Sequence, residues 1–181
     1  PCGPCAPGRF GCGRGGNLQE LLRLGFAASH LSGVELLPER FAIARANLPP
    51  AVALTQGDAL RLAAEPEPVD IVFVSTVFSS LLDDAFQQRL AAAMWRWVKP
   101  GGGVLWYDFT VNNPRNPDVR GVPLSRVRAL FPDGTMQARR ITLAPPIARA
   151  VTRLHPSLDA VFNTVPPLRT HALAWVAKPP A

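Results

Sequence analysis

The 181-residue chain is 48% hydrophobic and 18% charged, a composition that excludes an intrinsically disordered protein. Its length suits a single domain spanning residues 1–181 with a sizeable core. No apolar run approaches the ~18 residues of a membrane span, and no signal-peptide pattern precedes the body of the sequence. We therefore expect a cytoplasmic protein.

The net charge of +6 is distributed unevenly. Residues 1–90 carry 7 basic and 9 acidic side chains, whereas residues 91–181 carry 12 basic and 4 acidic ones. Most of the basic residues are arginine, which pairs well with planar anions. A solvated basic surface and an anionic small-molecule partner are the two explanations, since no aromatic–basic RNA motif or zinc finger indicates nucleic acid.

The three cysteines, Cys2, Cys5 and Cys12, all lie near the start of the sequence. The first two imitate a thioredoxin motif, but they lack the preceding strand and following helix that such a thiol needs. A zinc site would need a fourth ligand, for which His30 is the nearby candidate. We therefore predict no metal site.

Strand-like and helical segments alternate along residues 17–109, which predicts a parallel α/β sheet with right-handed crossovers. The predicted strands are Leu31–Leu36, Ala51–Thr55, Val69–Val77 and Val104–Phe109. The predicted helices are Asn17–Leu24, Pro38–Asn47 and a long one that Asp83 or Asp84 caps, followed by a turn at Lys99–Gly103. Residues 110–135 then form a functional loop and a short helix, about Leu124–Phe131, before strands at 137–143 and 170–177.

The glycine-rich segment Gly11–Asn17 leads into the first predicted helix. Glycines let the backbone turn sharply and approach a ligand, and a helix N-terminus offers unpaired N–H groups. Glu35 strengthens this weak signal because it ends the next strand, 22 residues after Gly13, where a carboxylate can accept both hydroxyls of a ribose. A solvated strand-end carboxylate is the alternative, which the pattern disfavours.

Asp58 and Ala59 directly follow the third strand, where a carboxylate can accept a hydrogen bond from the adenine amino group. The chain then continues through a buried strand and a long helix rather than through a second mononucleotide-binding half. This order favours S-adenosylmethionine (SAM) over NAD. An NAD-dependent oxidoreductase remains the alternative from another class, although the sequence has no Tyr-x-x-x-Lys pair.

The segments GCGRGGN, GVELLPERFAIAR, GDAL, VDIVFVSTVFS and WVKPGGGVLWYDF resemble the successive motifs of class I, Rossmann-like SAM-dependent methyltransferases. They cover about residues 11–109 in the order and spacing of that family. The resemblance implies a mostly parallel seven-stranded sheet with helices on both faces and an antiparallel last strand. It also implies SAM as the cofactor and methyl transfer as the reaction.

The resemblance further implies which residues bind SAM. The glycine loop would hold the methionine end, Glu35 the ribose, Asp58 and Ala59 the adenine, while the end of the fourth strand would flank the methyl group. The complete predicted cofactor site is Gly11, Cys12, Gly13, Gly15, Asn17, Glu35, Leu36, Asp58, Ala59, Ser75 and Val77.

One segment departs from the family pattern. An apolar first strand should directly precede Gly11, but Pro4-Cys5-Ala6-Pro7-Gly8-Arg9-Phe10 stands in its place. We therefore predict an irregular N-terminus at residues 1–10, a degraded first strand and a truncated or atypical start. This departure leaves a non-catalytic SAM-binding remnant as a further alternative.

The catalytic candidates lie at the carboxyl edge, where open α/β sheets bind ligands. An oxygen acceptor must lose a proton, so we predict Asp108 as a base or acceptor-orienting group and Tyr107 as a second candidate. Loop capping and core packing are the alternatives for these two. Asn112, Asn113 and Arg115 are predicted to bind the acceptor, with turn formation as the alternative.

The stretch YDFTVNNPRNPDVRGVP resembles methyltransferases that accompany bacterial surface-polysaccharide synthesis. We therefore expect methyl transfer to oxygen of a small polar acceptor, such as a sugar or a polysaccharide precursor.

Overall fold

A computed structural model describes residues 8–61, 67–112, 116–155 and 157–181 of the chain. The strands are β1 (Gly8–Gly11), β2 (Leu31–Glu35), β3 (Ala53–Gln56), β4 (Val69–Ser75), β5 (Val98–Phe109), β6 (Thr135–Leu143) and β7 (Arg169–Ala177). Within the described residues they pair in the order β3-β2-β1-β4-β5-β7-β6. The pairings from β3 to β5 are parallel, and β7 is antiparallel to both of its neighbours. The predicted α/β Rossmann-like architecture is therefore confirmed.

Helices cover both faces of this sheet. They are α1 (Gly16–Arg23), α2 (Pro38–Asn47), α3 (Asp84–Trp97), α4 (Leu124–Leu130), α5 (Pro145–Leu154) and α6 (Ser157–Phe162). Because side chains alternate along a strand, Val72 and Val74 of β4 belong to the core beneath α3 and α4, whereas Phe73 packs against the core beneath α1 and α2. No α-helix within the described residues is long and apolar enough to cross a membrane.

Strand β1 corrects the prediction for the N-terminal segment. Residues 8–11 form a central strand that pairs with β2 on one side and with β4 on the other. The ladder uses backbone N–H and C=O groups, and both prolines of the segment precede the paired residues, so neither removes a donor from it. The prediction of irregular structure is wrong for residues 8–10, and residues 1–7 lie outside the described residues.

Strand β4 ends at Ser75, two residues before the predicted end, because the next residue turns the chain. Thr76 has φ of 51°, a left-handed conformation that ends the extended backbone. The segment predicted as a turn, Lys99–Gly103, lies instead inside β5. It forms a bulge there, because Val69 pairs with Val98 and Ile71 pairs with Gly103.

The connection between β6 and β7 carries α5 and α6 and lies at the carboxyl edge of the sheet. His171, near the start of β7, pairs with Phe109, the last residue of β5. The chain therefore leaves β6 and returns into β7 at the edge where the parallel strands end, which is the edge that binds ligands in open α/β sheets.

Candidate functional site

The glycine loop joins β1 to α1 and forms the floor of a cavity. Gly13 and Gly15 have φ of 52° and 91°, conformations that favour glycine. Gly15 donates its N–H to the carbonyl oxygen of Cys12 at 2.8 Å, which closes a tight turn directly before α1. The first helical turn, Gly16-Asn17-Leu18-Gln19, is uncharged, so its free N–H groups suit a carboxylate such as the one at the methionine end of SAM.

Glu35 ends β2 and lines the same cavity. Its Oε1 accepts a hydrogen bond from the N–H of Leu37 at 3.0 Å, which fixes the direction of the carboxylate. The second oxygen keeps its lone pairs for a ligand. The predicted neighbour Leu36 also lines the cavity and is 61% exposed, so it offers an apolar surface to whatever fills the space.

Asp58 and Ala59 line the cavity on the far side of Glu35. The Oδ1 atom of Asp58 accepts a hydrogen bond from the N–H of Leu60 at 2.9 Å. Its Oδ2 lies 3.7 Å from the Nε of Arg61, whose side chain is 89% exposed. This exposed ion pair contributes little energy, so Oδ2 is available to a hydrogen-bond donor on a ligand.

The end of β4 forms the opposite wall. The residues from Thr76 to Leu81, which we call the methyl-side turn, follow Ser75 and lead to the start of α3. Thr76, a β-branched residue in the left-handed region, donates its N–H to the carbonyl oxygen of Tyr107 at 2.8 Å. Its Oγ1 donates to the carbonyl oxygen of Ser75 at 2.9 Å. Strained residues of this kind concentrate at functional sites.

These walls enclose a cavity of about 580 Å³. The predicted cofactor residues that line it are Cys12, Gly13, Asn17, Glu35, Leu36, Asp58, Ala59, Ser75 and Val77. Gly15 lies directly before α1 and allows the loop to turn there, and Gly11 is the last residue of β1, directly before the loop. The structure therefore brings the ends of four strands together around one cavity.

Several cavity residues were not predicted from the sequence. Thr76 carries no signal in its residue type, since left-handed backbone is rare for threonine. Arg14 and Arg40 also line the cavity and add positive charge near the carboxylates. Their positions in the sequence could have indicated them, because Arg14 lies within the glycine loop and Arg40 lies in the first turn of the helix after Glu35.

Cys12 lies at the cavity floor but is buried and stays protonated at neutral pH. Burial, together with the nearby negative charge of Glu35, raises the pKa of its thiol to about 11. A protonated thiol is a poor nucleophile. The other two cysteines of the sequence lie outside the described residues.

Asp108 is fully buried, and both of its oxygens accept hydrogen bonds from backbone N–H groups. Oδ2 accepts from Ser79 at 3.0 Å, and Oδ1 accepts from Phe109 at 2.9 Å. Burial raises the pKa of the carboxyl above its usual range, although the hydrogen bonds and the neighbouring His171 partly oppose this effect. Among the described residues the cavity lining does not include Asp108, so this geometry fits the capping alternative better than the predicted base.

Tyr107 points to the other face of the sheet. Its hydroxyl lies 2.8 Å from the Oγ1 of Thr142, and its ring stacks on His171 with ring centroids 5.4 Å apart. The described cavity lining does not include Tyr107 either. These contacts support the packing alternative rather than a direct role in methyl transfer.

The predicted acceptor residues are only partly within the described structure. Asn112 is exposed, and its Oδ1 accepts a hydrogen bond from the N–H of Gly121 at 2.9 Å, which closes the base of the loop after β5. This contact is the turn-forming alternative. Asn113 and Arg115 lie outside the described residues.

Comparison with known proteins identifies the family of the chain. The model of a methyltransferase domain family matches residues 9–102, just over half of the chain. No curated protein matches the sequence. The nicotinamide alternative therefore receives no support, since the matched family is one of methyltransferases.

Solved structures of SAM-dependent methyltransferases share the fold. The N-methyltransferase NodS from Bradyrhizobium japonicum WM9, in complex with S-adenosyl-L-homocysteine (SAH), has a TM-score of 0.71 at 16% identity, covering 98% of this chain and 80% of that one. A methyltransferase from Mesorhizobium loti has a TM-score of 0.66 at 13% identity, covering 98% and 94%. The putative methyltransferase complexed with the Trm112 activator from Haloferax volcanii has a TM-score of 0.67 at 17% identity, covering 98% and 84%. The chain belongs to the methyltransferase domain family, and it is a SAM-dependent methyltransferase.

Proposed function

We propose that this methyltransferase transfers the methyl group of SAM to an oxygen atom of a small polar acceptor. The observation that supports this proposal is the wall at the end of β4. Ser75, Thr76 and Ser80 line the cavity there, and the apolar Val77 and Leu81 lie between and beside them. Hydroxyl groups can orient a polar acceptor, while the apolar side chains exclude water from the reacting atoms.

In this proposal the cofactor lies across the glycine loop. The N–H groups at the start of α1 bind the methionine carboxylate, and Glu35 accepts hydrogen bonds from the ribose. Asp58 accepts a hydrogen bond from the adenine amino group, which places the sulfonium beside Ser75 and Val77. The oxygens that Leu37 and Leu60 leave free support these assignments.

The described cavity lining also restricts the acceptor. Its acidic side chains are Glu35 and Asp58, which the cofactor would occupy, and the Cys12 thiol is protonated at neutral pH. An acceptor oxygen would therefore need to ionise readily, as a phenol or a carboxylic acid does. The positive charge of Arg14 and Arg40 supports an anionic acceptor of this kind. A sugar hydroxyl would need a base from beyond the described lining.

The acceptor can be identified with SAM that is labelled on its methyl group. We would incubate the full chain with separate pools of phenols, carboxylic acids, sugars and amines, and locate the label in the product. The proposal expects labelled ethers or esters from the acidic pools, and label recovered on nitrogen or on a sugar would contradict it. Incubation of labelled SAM with each pool in the absence of the protein is the control for label that arises without the enzyme.

A further inference from the structure

The methyl-side turn is held by residues that do not belong to the described cavity lining. Thr76, Val77, Ser80 and Leu81 face the cavity, whereas the backbone of Phe78 and Ser79 is buried behind them. Buried backbone groups need partners, and four of those in this turn are satisfied by three different parts of the fold. Each partner can be identified from the structure.

Asp108 is the first partner, and it joins two segments. One carboxylate oxygen accepts from the N–H of Ser79 in the methyl-side turn, and the other accepts from the N–H of Phe109, where β5 ends. A carboxylate accepts at both oxygens, whereas an asparagine amide has one acceptor and would present an NH₂ group to the second N–H. An aspartate is therefore specifically suited to bridge these two donors.

Gln87 of α3 is the second partner, and it is fully buried. Its Nε2 donates to the carbonyl oxygens of Phe78 and Leu81 at 2.9 Å each, so it holds both ends of the turn's short helical segment. Its Oε1 accepts from the Nε of Arg126 on α4 at 3.1 Å. Both N–H groups of this amide therefore bind the turn, and its oxygen ties α3 to α4.

Arg120 supplies the third contact and connects the turn to the loop after β5. Its backbone N–H donates to the carbonyl oxygen of Ser79 at 2.8 Å, and its side chain forms an ion pair with Asp84 at the start of α3. The loop on the predicted acceptor side thus hydrogen-bonds directly to the wall that faces the methyl group. A movement of this loop must therefore disturb the wall, and a movement of the wall must disturb the loop.

This inference rests on the proposed function. We propose that Asp108 and Gln87 are positioning residues, which hold the methyl-side turn, and through it the acceptor-side loop, in the geometry that binds the cofactor. Neither residue belongs to the described lining of the cavity. Asp108 acts through Ser79 and Phe109, and Gln87 acts through Phe78 and Leu81.

The experiment measures SAH affinity by isothermal titration calorimetry, together with the free energy of unfolding, for the full chain. The variants are Asp108→Asn, which removes one of the two acceptor oxygens, and Gln87→Met, which removes all the hydrogen bonds of the amide; both keep side-chain size. The control is Val176→Ala, which opens a cavity in the core of β7 near the opposite end of the strand from His171. We expect about tenfold weaker SAH binding for the first two variants and unchanged affinity for the control.

A pH series separates positioning from mere structural support. Protonation of Asp108 removes one of its two hydrogen bonds, so the affinity advantage of the native chain over Asp108→Asn should shrink as the pH falls. The advantage over Gln87→Met should stay constant, because an amide does not titrate. His171 on β7 is the ionisable group near Asp108, and it is present in all three proteins.

Each outcome is decisive. If the native chain does not bind SAH, the proposed function fails, and with it the basis for this inference. If the native chain binds SAH and both variants bind it as tightly, the positioning role is wrong. The role is also wrong if Val176→Ala lowers affinity as much as the others, because loss of stability alone would then explain the result. Should Asp108→Asn fail to fold, the comparison of SAH affinity between Gln87→Met and Val176→Ala still tests the positioning role.

Discussion

Gly57 donates its backbone N–H to the carbonyl oxygen of Glu35 at 2.9 Å, which ties the acid at the end of β2 to the loop that carries Asp58. The two carboxylates therefore sit on one continuous hydrogen-bonded edge, although 23 residues separate them in the sequence. In the proposed function, this edge binds the ribose and the adenine at neighbouring strand ends of the parallel sheet.

The first prediction concerns the affinity for SAM. Glu35→Gln should weaken SAM binding about tenfold, because the amide keeps the size of the side chain but loses a charged acceptor for the ribose hydroxyls. Isothermal titration calorimetry provides the measurement. The control is Glu39→Gln, an exposed acid in the first turn of α2, which should leave the affinity unchanged. Equal effects of the two substitutions would contradict the ribose assignment.

The second prediction concerns the glycine loop. Gly15→Ala should lower the free energy of unfolding by more than the ~1–2 kcal/mol that a left-handed alanine costs. An added Cβ would lie 3.0 Å from the Cδ1 of Leu48, so steric crowding adds to the backbone strain. Urea denaturation measures the change.

Gly25→Ala is the matched control for this substitution. Gly25 has φ of 94°, close to the 91° of Gly15, but a Cβ there would meet no atom within 4 Å. The difference between the two variants therefore reports crowding alone. Equal destabilisation would show that the packing of Leu48 against the loop is not tight.

The third prediction concerns the strained residue of the methyl-side turn. Thr76→Asn should raise the free energy of unfolding by about 0.5–1 kcal/mol, because asparagine tolerates the left-handed conformation that a β-branched residue resists. Thr76→Val keeps the branch at Cβ and should bring no gain. Thermal and urea denaturation measure both. An asparagine variant that is no more stable than the native chain would contradict the strain assigned to this position.

The fourth prediction concerns pH. Burial lowers the pKa of His171 below its usual value of 6.5, although the charge of Asp108 partly opposes this shift. Below pH 6.5 the unfolded chain therefore binds a proton that the folded chain resists, so stability falls from about pH 6.5 down to the lowered folded pKa and this contribution is then constant. His171→Phe keeps a ring against Tyr107 and should lose less stability between pH 7.5 and pH 5.5. Parallel stability curves for the two proteins would contradict this assignment.

Much of the cofactor side could be predicted from the sequence. Glu35 and Asp58 were identifiable because each follows or ends an apolar run that indicates a parallel strand. The C-terminal ends of such strands lie at the carboxyl edge of the sheet, so the acids must lie at that edge. The glycine loop was identifiable because it leads directly into the first predicted helix. These are local relationships between neighbouring segments of the chain, so the order of the residues is enough to predict them.

The acceptor side could not be predicted in the same way. Asp108 also ends a strand, and its position alone made it a candidate base, yet its side chain points into the core and binds Ser79 from 29 residues away. Tyr107, its neighbour, points to the opposite face and stacks on His171. Which face a strand-end side chain takes depends on the pleat and on what packs against it, so residue type does not reveal it.

The first strand is another element that the sequence did not predict, because it forms where the sequence indicated irregular structure. Residues 8–11 lack the apolar pattern of a buried strand, so their sequence indicated irregular structure. The neighbours β2 and β4 supply hydrogen-bonding partners on both sides, and this pairing makes the segment a strand whatever its side chains are. Chain order and residue type were thus enough for the fold family and the cofactor. The roles of Asp108, Tyr107 and β1 depend on contacts between residues distant in sequence, which exist only once the sheet has formed.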